Sequence, residues 1–164
     1  MATTPATIYG EILTKVRATA SGSSYSLASS RVQLSPVFSP DGLTTPFIQI
    51  IVPGEGSIPH ALGGVGLVVE EFEIAVIEQI LRDRFNTYTD AISHATNSLM
   101  ALVTAIRGDG LATGSSGLHN HVSNNSEGPV FLTGWGAIRQ MEEDPNFLAH
   151  VDRYTIRYEL ASYS

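Results

Sequence analysis

Hydrophobic positions change period several times along this chain, and each change predicts an element. Ile8, Ile12, Leu13 and Val16 recur at helical spacing behind Thr4-Pro5, a hydroxyl cap followed by proline at the first helical position. This predicts an amphipathic helix over residues 5 to 20, ended by a serine-rich loop that runs to Ser30. Arg31-Val32-Gln33-Leu34 reads as a short strand, closed by Pro36 and by the turn Pro40-Asp41-Gly42. Phe47-Ile48-Gln49-Ile50-Ile51-Val52 has the β-branched composition of a central strand and stops at Pro53-Gly54. Residues 53 to 66 hold five glycines and two prolines, which predicts a long loop or a flexible hairpin tip.

Leu67 to Ile77 gives the clearest strand pattern. Phe72, Ile74 and Val76 point one way, and Glu71, Glu73, Ala75 and Ile77 the other. Arg82 to Asn86 breaks the run, and Thr89 or Asp90 is the expected cap of a second helix. Ile92, Ala95, Leu99, Leu102, Val103 and Ile106 form its apolar stripe, up to a stop at Gly108. Residues 108 to 129 read as a long polar loop. Val130 to Met141 then alternates loosely around Trp135, and Tyr154, Ile156, Tyr158 and Leu160 alternate strictly with charged and hydroxyl residues. With Glu142 to Asn146 as the turn, these two runs predict an antiparallel hairpin. One apolar stripe per helix and one apolar face per strand predict a single α+β domain over residues 1–164. Its expected architecture is a two-layer sandwich, a mainly antiparallel sheet of about four to five strands with two helices on one face.

Composition adds one unusual fact. The 164 residues are 43% hydrophobic but only 15% charged, where about a quarter is usual, so much of the surface must be hydroxyl, amide or apolar. Such a surface is either solvated by hydroxyls or covered by other subunits. The absence of cysteine excludes disulfides, thiolate metal sites and a cysteine nucleophile. A net charge of −7 disfavours generic binding to nucleic acid. No apolar run approaches the roughly 18 residues of a membrane span, and Met1 to Pro5 lacks signal-peptide features, so the expected site of synthesis and residence is the cytoplasm.

Candidate chemistry is sparse. His119-Asn120-His121 would share a metal if it lay on a strand, but its Ser, Gly and Asn neighbours favour solvated loop histidines. Glu70, Glu71, Glu73 and Glu78 cluster on one strand, and Glu71 and Glu73 share a face as a solvated or pore-lining acidic strip. Gly63-Gly64-Val65-Gly66 precedes a strand, the reverse of a phosphate-binding loop. Gly134-Trp135-Gly136 has no serine at its centre and suggests a bulge or a close backbone approach, around a core or interface tryptophan. No nucleophile stands beside a base, so no enzymatic activity, cofactor or metal is expected.

In the order of its pieces the chain resembles the tail-terminator proteins of tailed bacteriophages, also called tail-completion or neck proteins. The likeness rests on the helix Ile8 to Arg17, the segment Thr45-Pro46-Phe47-Ile48-Gln49-Ile50 and the strand Val69 to Val76. It continues through the helix end Leu102-Val103-Thr104-Ala105-Ile106-Arg107-Gly108, then Gly134-Trp135 with Asp144-Pro145, and the closing strand Val151 to Tyr158. The resemblance implies a two-layer α+β domain that assembles into a ring, usually a hexamer, at the head-proximal end of the tail tube. Such a ring ends tube polymerisation, joins the tail to the head-side connector and catalyses nothing. Implied partners are copies of the same chain, the tail tube protein, the head-side connector or neck protein and a sheath. DNA would only pass through the lumen, no membrane is involved, and the location would be the virion, after assembly in the host cytoplasm. Glu71 and Glu73 become candidates for a lumen-facing strip, and the glycine-rich segments around Gly54 and Gly64, the loop with Asn120, His121 and Asn124, and Trp135 become candidate contacts between subunits or rings. Two other readings remain, a head-completion or connector adaptor (or another neck or baseplate component) and, from a different class, a metal-dependent hydrolase using His119 and His121.

Overall fold

The first helix begins where its cap predicts. Thr4 Oγ1 accepts from the Thr7 N–H at 3.3 Å and Pro5 takes the first helical position of α1, Pro5–Ser21. The structure is a computed structural model that describes residues 4–22, 26–36, 44–52, 60–61, 67–108, 117–118 and 130–159. The second helix, α2, is Tyr88–Arg107, and its cap is Thr87 rather than Thr89 or Asp90, which are both inside the helix. Thr87 Oγ1 accepts from the Asp90 N–H at 3.1 Å. Asp90 therefore stands at the third helical position, where its carboxylate meets the positive end of the helix dipole.

Among the described residues seven strands form one mixed sheet: β1 Val32–Ser35, β2 Phe47–Ile51, β3 His60–Ala61, β4 Leu67–Gln79, β5 Phe131–Trp135, β6 Arg139–Gln140 and β7 Phe147–Glu159. The five longer ones lie in the order β1-β2-β4-β7-β5, with β3 on β4 and β6 on β7. Only β1 with β2 is parallel. Both helices pack on one face of this sheet, so the domain is the expected α+β two-layer sandwich, with two short strands beyond the expected four to five.

β4 and β7 form the spine, paired over 13 residues each from Leu67↔Glu159 to Gln79↔Phe147. β7 thus starts directly after the expected turn, four residues before Val151, where the closing strand of the resemblance began, and seven before Tyr154, the first apolar position of the strict alternation. Its inward positions run Leu148, His150, Asp152, Tyr154, Ile156 and Tyr158, all buried. Two polar residues among them break the hydrophobic alternation that marks a strand in a sequence. The expected hairpin partner is divided in two, β5 and β6, by the kink Gly136 to Ile138, with a register shift between Leu132 and Gly134. Gly136 N–H donates to Val151 O at 2.7 Å, and a Cβ there would stand 3.1 Å from that same oxygen.

The core lies between the layers. Ile8, Ile12 and Val16 of α1 and Leu99, Leu102 and Ile106 of α2 meet Ile48, Ile50, Phe72, Ile74 and Val76 of the sheet. Phe72 stacks on Tyr154 with ring centroids 5.5 Å apart, and Tyr9 meets it edge-on at 5.9 Å. On the opposite face Phe47, Gln49, Ala75 and Ile77 are also buried, which explains why β2 carries so little alternation.

The chain leaves α2 at Gly108 and returns against it at Gly117. Leu118 is fully buried and its N–H donates to Ile106 O at 2.7 Å, satisfying an end carbonyl of the helix. Gly117 has φ +72°, and a Cβ there would lie 2.4 Å from Gly108 Cα and 2.8 Å from Ala105 O. Gly117→Ala is therefore expected to lose about 2 kcal/mol or more, read as a lower midpoint in urea with an unchanged slope. The rest of the expected 108–129 loop lies outside the described residues, as does the 53–66 segment apart from β3.

Candidate functional site

The four glutamates that cluster in the sequence are separated by the strand period. Glu71 and Glu73 lie on the helix-free face of β4, while Glu70 and Glu78 lie on the helix face at opposite ends of the strand. Glu78 is buried and ties the layers together: Ser98 of α2 donates to its Oε2 at 2.7 Å and the Gln79 N–H to its Oε1 at 2.9 Å. Glu70 accepts from the Tyr158 hydroxyl at 2.5 Å.

Around Glu71 and Glu73 the face has mixed sign. β7 sets Arg153 directly opposite Glu73, 3.5 Å away, and Arg157 opposite Val69 on the same face. Both partners of the pair are substantially exposed, so it orients side chains and adds little stability. Beside it lies a groove of about 450 Å³ lined by Ile51, Glu73, Arg139, Ala149, Val151 and Arg153, among others. These six lining residues supply an apolar floor and a charged rim, with neither a nucleophile nor an imidazole among them. Among the described residues no group of three or more His, Asp or Glu could hold a metal. His119 and His121 lie outside the described residues, together with Gly54, Gly64, Asn120 and Asn124.

The polar centre that the sequence did not announce is at the other end of the helix face. Arg107, in the last turn of α2, forms a bidentate pair with Asp152 of β7, Nε to Oδ2 at 2.6 Å and Nη2 to Oδ1 at 2.7 Å. His150 Nε2 lies 2.7 Å from Oδ1 and 3.0 Å from Arg107 Nη2, so all three side chains meet at one point. Asp152 and His150 are buried, and Arg107 retains about a quarter of its side-chain surface. Hydrogen bonding to Asp152 raises the Arg107 pKa further, so the guanidinium stays charged. It also lies 5.8 Å from the centre of the Trp135 ring. Trp135 pairs with Asp152 in register and shares its face, yet it is 73% exposed and so is no part of the core.

The Tyr154 hydroxyl is buried and has no hydrogen-bond partner among the described residues. Tyr154→Phe removes an unsatisfied donor and keeps the stack on Phe72, so it is expected to leave stability unchanged or raise it by about 1 kcal/mol. Burial pushes the phenols of Tyr9, Tyr154 and Tyr158 well above their ordinary value; Glu70 adds to the effect at Tyr9 and Tyr158, and Asp152 at Tyr154. The folded chain then holds protons that the unfolded chain releases above about pH 10, so stability falls as pH rises through that value. A urea midpoint that drops steadily from pH 9.5 to 11 is the expected observation.

Exposed large hydrophobics are few and they concentrate at the rims. Among the described residues they are Leu34, Tyr88, Phe131 and Trp135. Tyr88 is covered on one side by the Arg82 guanidinium at 4.3 Å and its hydroxyl accepts from Gln140. The other three sit on β1 and β5, the two outermost strands. Neither strand contains a charged residue. Sequence reasoning singled out Trp135 but could not find these edges, because strand order is set by pairing partners far apart in the chain. No family model matches this chain, and no curated protein sequence matches it.

Proposed function

We propose that this chain is a structural ring subunit of a bacteriophage tail, capping the head-proximal end of the tail tube and presenting a docking surface to the head-side connector. Support comes first from the order of its pieces, which resembles tail terminators over nearly the whole length, and from the two-layer α+β fold. The observation that carries the reading is the pair of sheet edges. Natural sheets guard outer strands with charges, proline or cover, because bare edges recruit other strands. Here β1 and β5 contain no charged residue of their own, with Arg17 of α1 reaching β1 only at Val32 O, and three of the four large hydrophobics exposed among the described residues lie on them. Two different edges on one chain make head-to-tail contacts, and such contacts close into rings when the rotation per step allows. The low overall charge follows from the same arrangement, since subunit interfaces are poor in charged groups at their centres.

In this reading the chain is no enzyme and needs no cofactor. Its partners are further copies in a hexameric ring, the tube protein below, the connector above and a sheath in a contractile tail. The mixed-charge face with Glu71, Glu73, Arg153 and Arg157 would be a solvated wall of the ring. The test adds the purified full-length chain to polymerising tail tube protein from the same virus, with native mass spectrometry of the chain alone. Rings, and tubes that stop growing when the ring is present, are expected. Rings that bind only the portal-side connector would make the chain a connector adaptor, and a monomer without effect on tube growth would sink the proposal.

A further inference from the structure

We infer that the groove on the helix-free face docks an extended acidic segment of a partner protein, whose carboxylates, four residues apart, sit on Arg139 and Arg153. This does not rest on the ring reading, because a single copy carries the whole site. It needs no free strand edge either, since the contact is made by side chains standing on the face of the sheet.

Register places the two arginines. Arg139 of β6 pairs with Ala149 of β7, and Arg153 lies four residues further along the same face of β7. At roughly 3.3 Å per residue the two positions are about 13 Å apart. Between them the face is apolar, with Ala149 and Val151 of β7 and Ile51 of β2 lining the groove of about 450 Å³ together with Glu73 and both arginines. The groove is thus a trough with an aliphatic floor and a guanidinium towards each end. Arg157 repeats the four-residue step beyond it.

The fold makes little use of these guanidiniums. Arg17, Arg31 and Arg107 each bond a carbonyl or a carboxylate of their own chain, and Arg82 covers the Tyr88 ring. Arg139 and Arg157 are exposed and have neither an ion pair nor a hydrogen bond among the described residues. Arg153 has one contact, with Glu73 at 3.5 Å. A chain with sixteen acidic side chains therefore leaves three of its nine basic residues on one face with a single weak pairing.

Charge complementarity selects carboxylates as the occupant, and spacing selects how they are carried. In an extended chain residues i, i+2 and i+4 lie on one face, so acids at i and i+4 meet Arg139 and Arg153 while a small apolar residue at i+2 covers Val151. A nucleic-acid strand fits poorly, because its closely spaced phosphates would also meet Glu71 and Glu73 beside the arginine row.

The test titrates the full-length chain against a rhodamine-labelled, capped peptide, Gly-Glu-Thr-Val-Thr-Glu-Thr-Gly, read by fluorescence anisotropy. Saturable binding with a dissociation constant below about 1 mM is expected. Arg139→Gln and Arg153→Gln should each weaken it roughly tenfold, with circular dichroism unchanged because both residues are exposed. Arg84→Gln, equally exposed, outside the groove and with the same change in net charge, should bind like the parent. The same residues reordered as Gly-Glu-Glu-Val-Thr-Thr-Thr-Gly should bind at least fivefold more weakly. Equal binding of the two peptides, or an equal loss in Arg84→Gln, would reduce the effect to unspecific charge attraction and overturn the inference. No saturable binding, or tighter binding of dodecathymidylate than of the peptide, would overturn it as well.

Discussion

Arg107→Met is expected to destabilise the fold by about 3 to 5 kcal/mol, the usual cost of stranding a buried charge. Asp152 is almost completely buried and accepts two hydrogen bonds from Arg107, with His150 Nε2 2.7 Å from its Oδ1. Removing the guanidinium leaves the carboxylate with the His150 ring alone, in a layer too dry to replace the lost bonds with water. Methionine keeps the stem's packing, so the loss reports charge and hydrogen bonding rather than a cavity. Arg107→Lys should fall between the two proteins, because an ammonium keeps the charge but cannot make the parallel two-bond contact. A urea titration of all three at one protein concentration measures this, the fixed concentration being needed because assembly would add to apparent stability. A Met variant as stable as the parent would show that the pair contributes orientation only.

Phe72→Ala is expected to lose a similar amount, about 3 to 5 kcal/mol, by a different mechanism. Phe72 is 1% exposed and sits where α1, β4 and β7 meet, stacked on Tyr154 and touched edge-on by Tyr9. Alanine leaves a cavity between two rings that are themselves held by their strands and helix, so the site cannot collapse to fill it. Domains of this size have roughly 5 to 15 kcal/mol in hand, so either variant removes a large share. The two sites adjoin through Tyr154, which stacks on Phe72 and stands two residues from Asp152 on the same face of β7, so the double variant measures their coupling. Strong non-additivity in the double variant would mean that the ion pair and the aromatic cluster form one cooperative unit.

The helices and the spine strand were readable because their signals are local. A stripe at 3.6 residues and an alternation at two are properties of consecutive residues, and α1, α2 and β4 follow them closely. Thr87, Thr89 and Asp90 all have capping side chains, and Thr87 takes the cap. The start of β7 was hidden because His150 and Asp152 occupy inward positions, which a pattern of apolar residues scores as the end of a strand. Continuing the period-2 count through the polar residues, from Leu148 to Tyr158, would have shown both the longer strand and its buried ionic pair. Glu71 and Glu73 share the face the alternation gave them, but Arg153, opposite Glu73, and Arg157, opposite Val69, come from a strand about eighty residues on, so the sign of that face was not legible.

By itself, the sequence determined the periods, the two layers, the absence of cysteine chemistry and a low share of charged residues. The tertiary structure decided which strands are outermost, which polar residues are buried together and where the few exposed hydrophobics collect. The physical reason is range. Periodicity is a short-range property, whereas Arg107 and Asp152, 45 residues apart, meet only after β4 and β7 have paired, and an edge exists only once the whole strand order is fixed. The charge deficit was visible in the composition, and the fold located part of it on β1 and β5, the two outermost strands of the path.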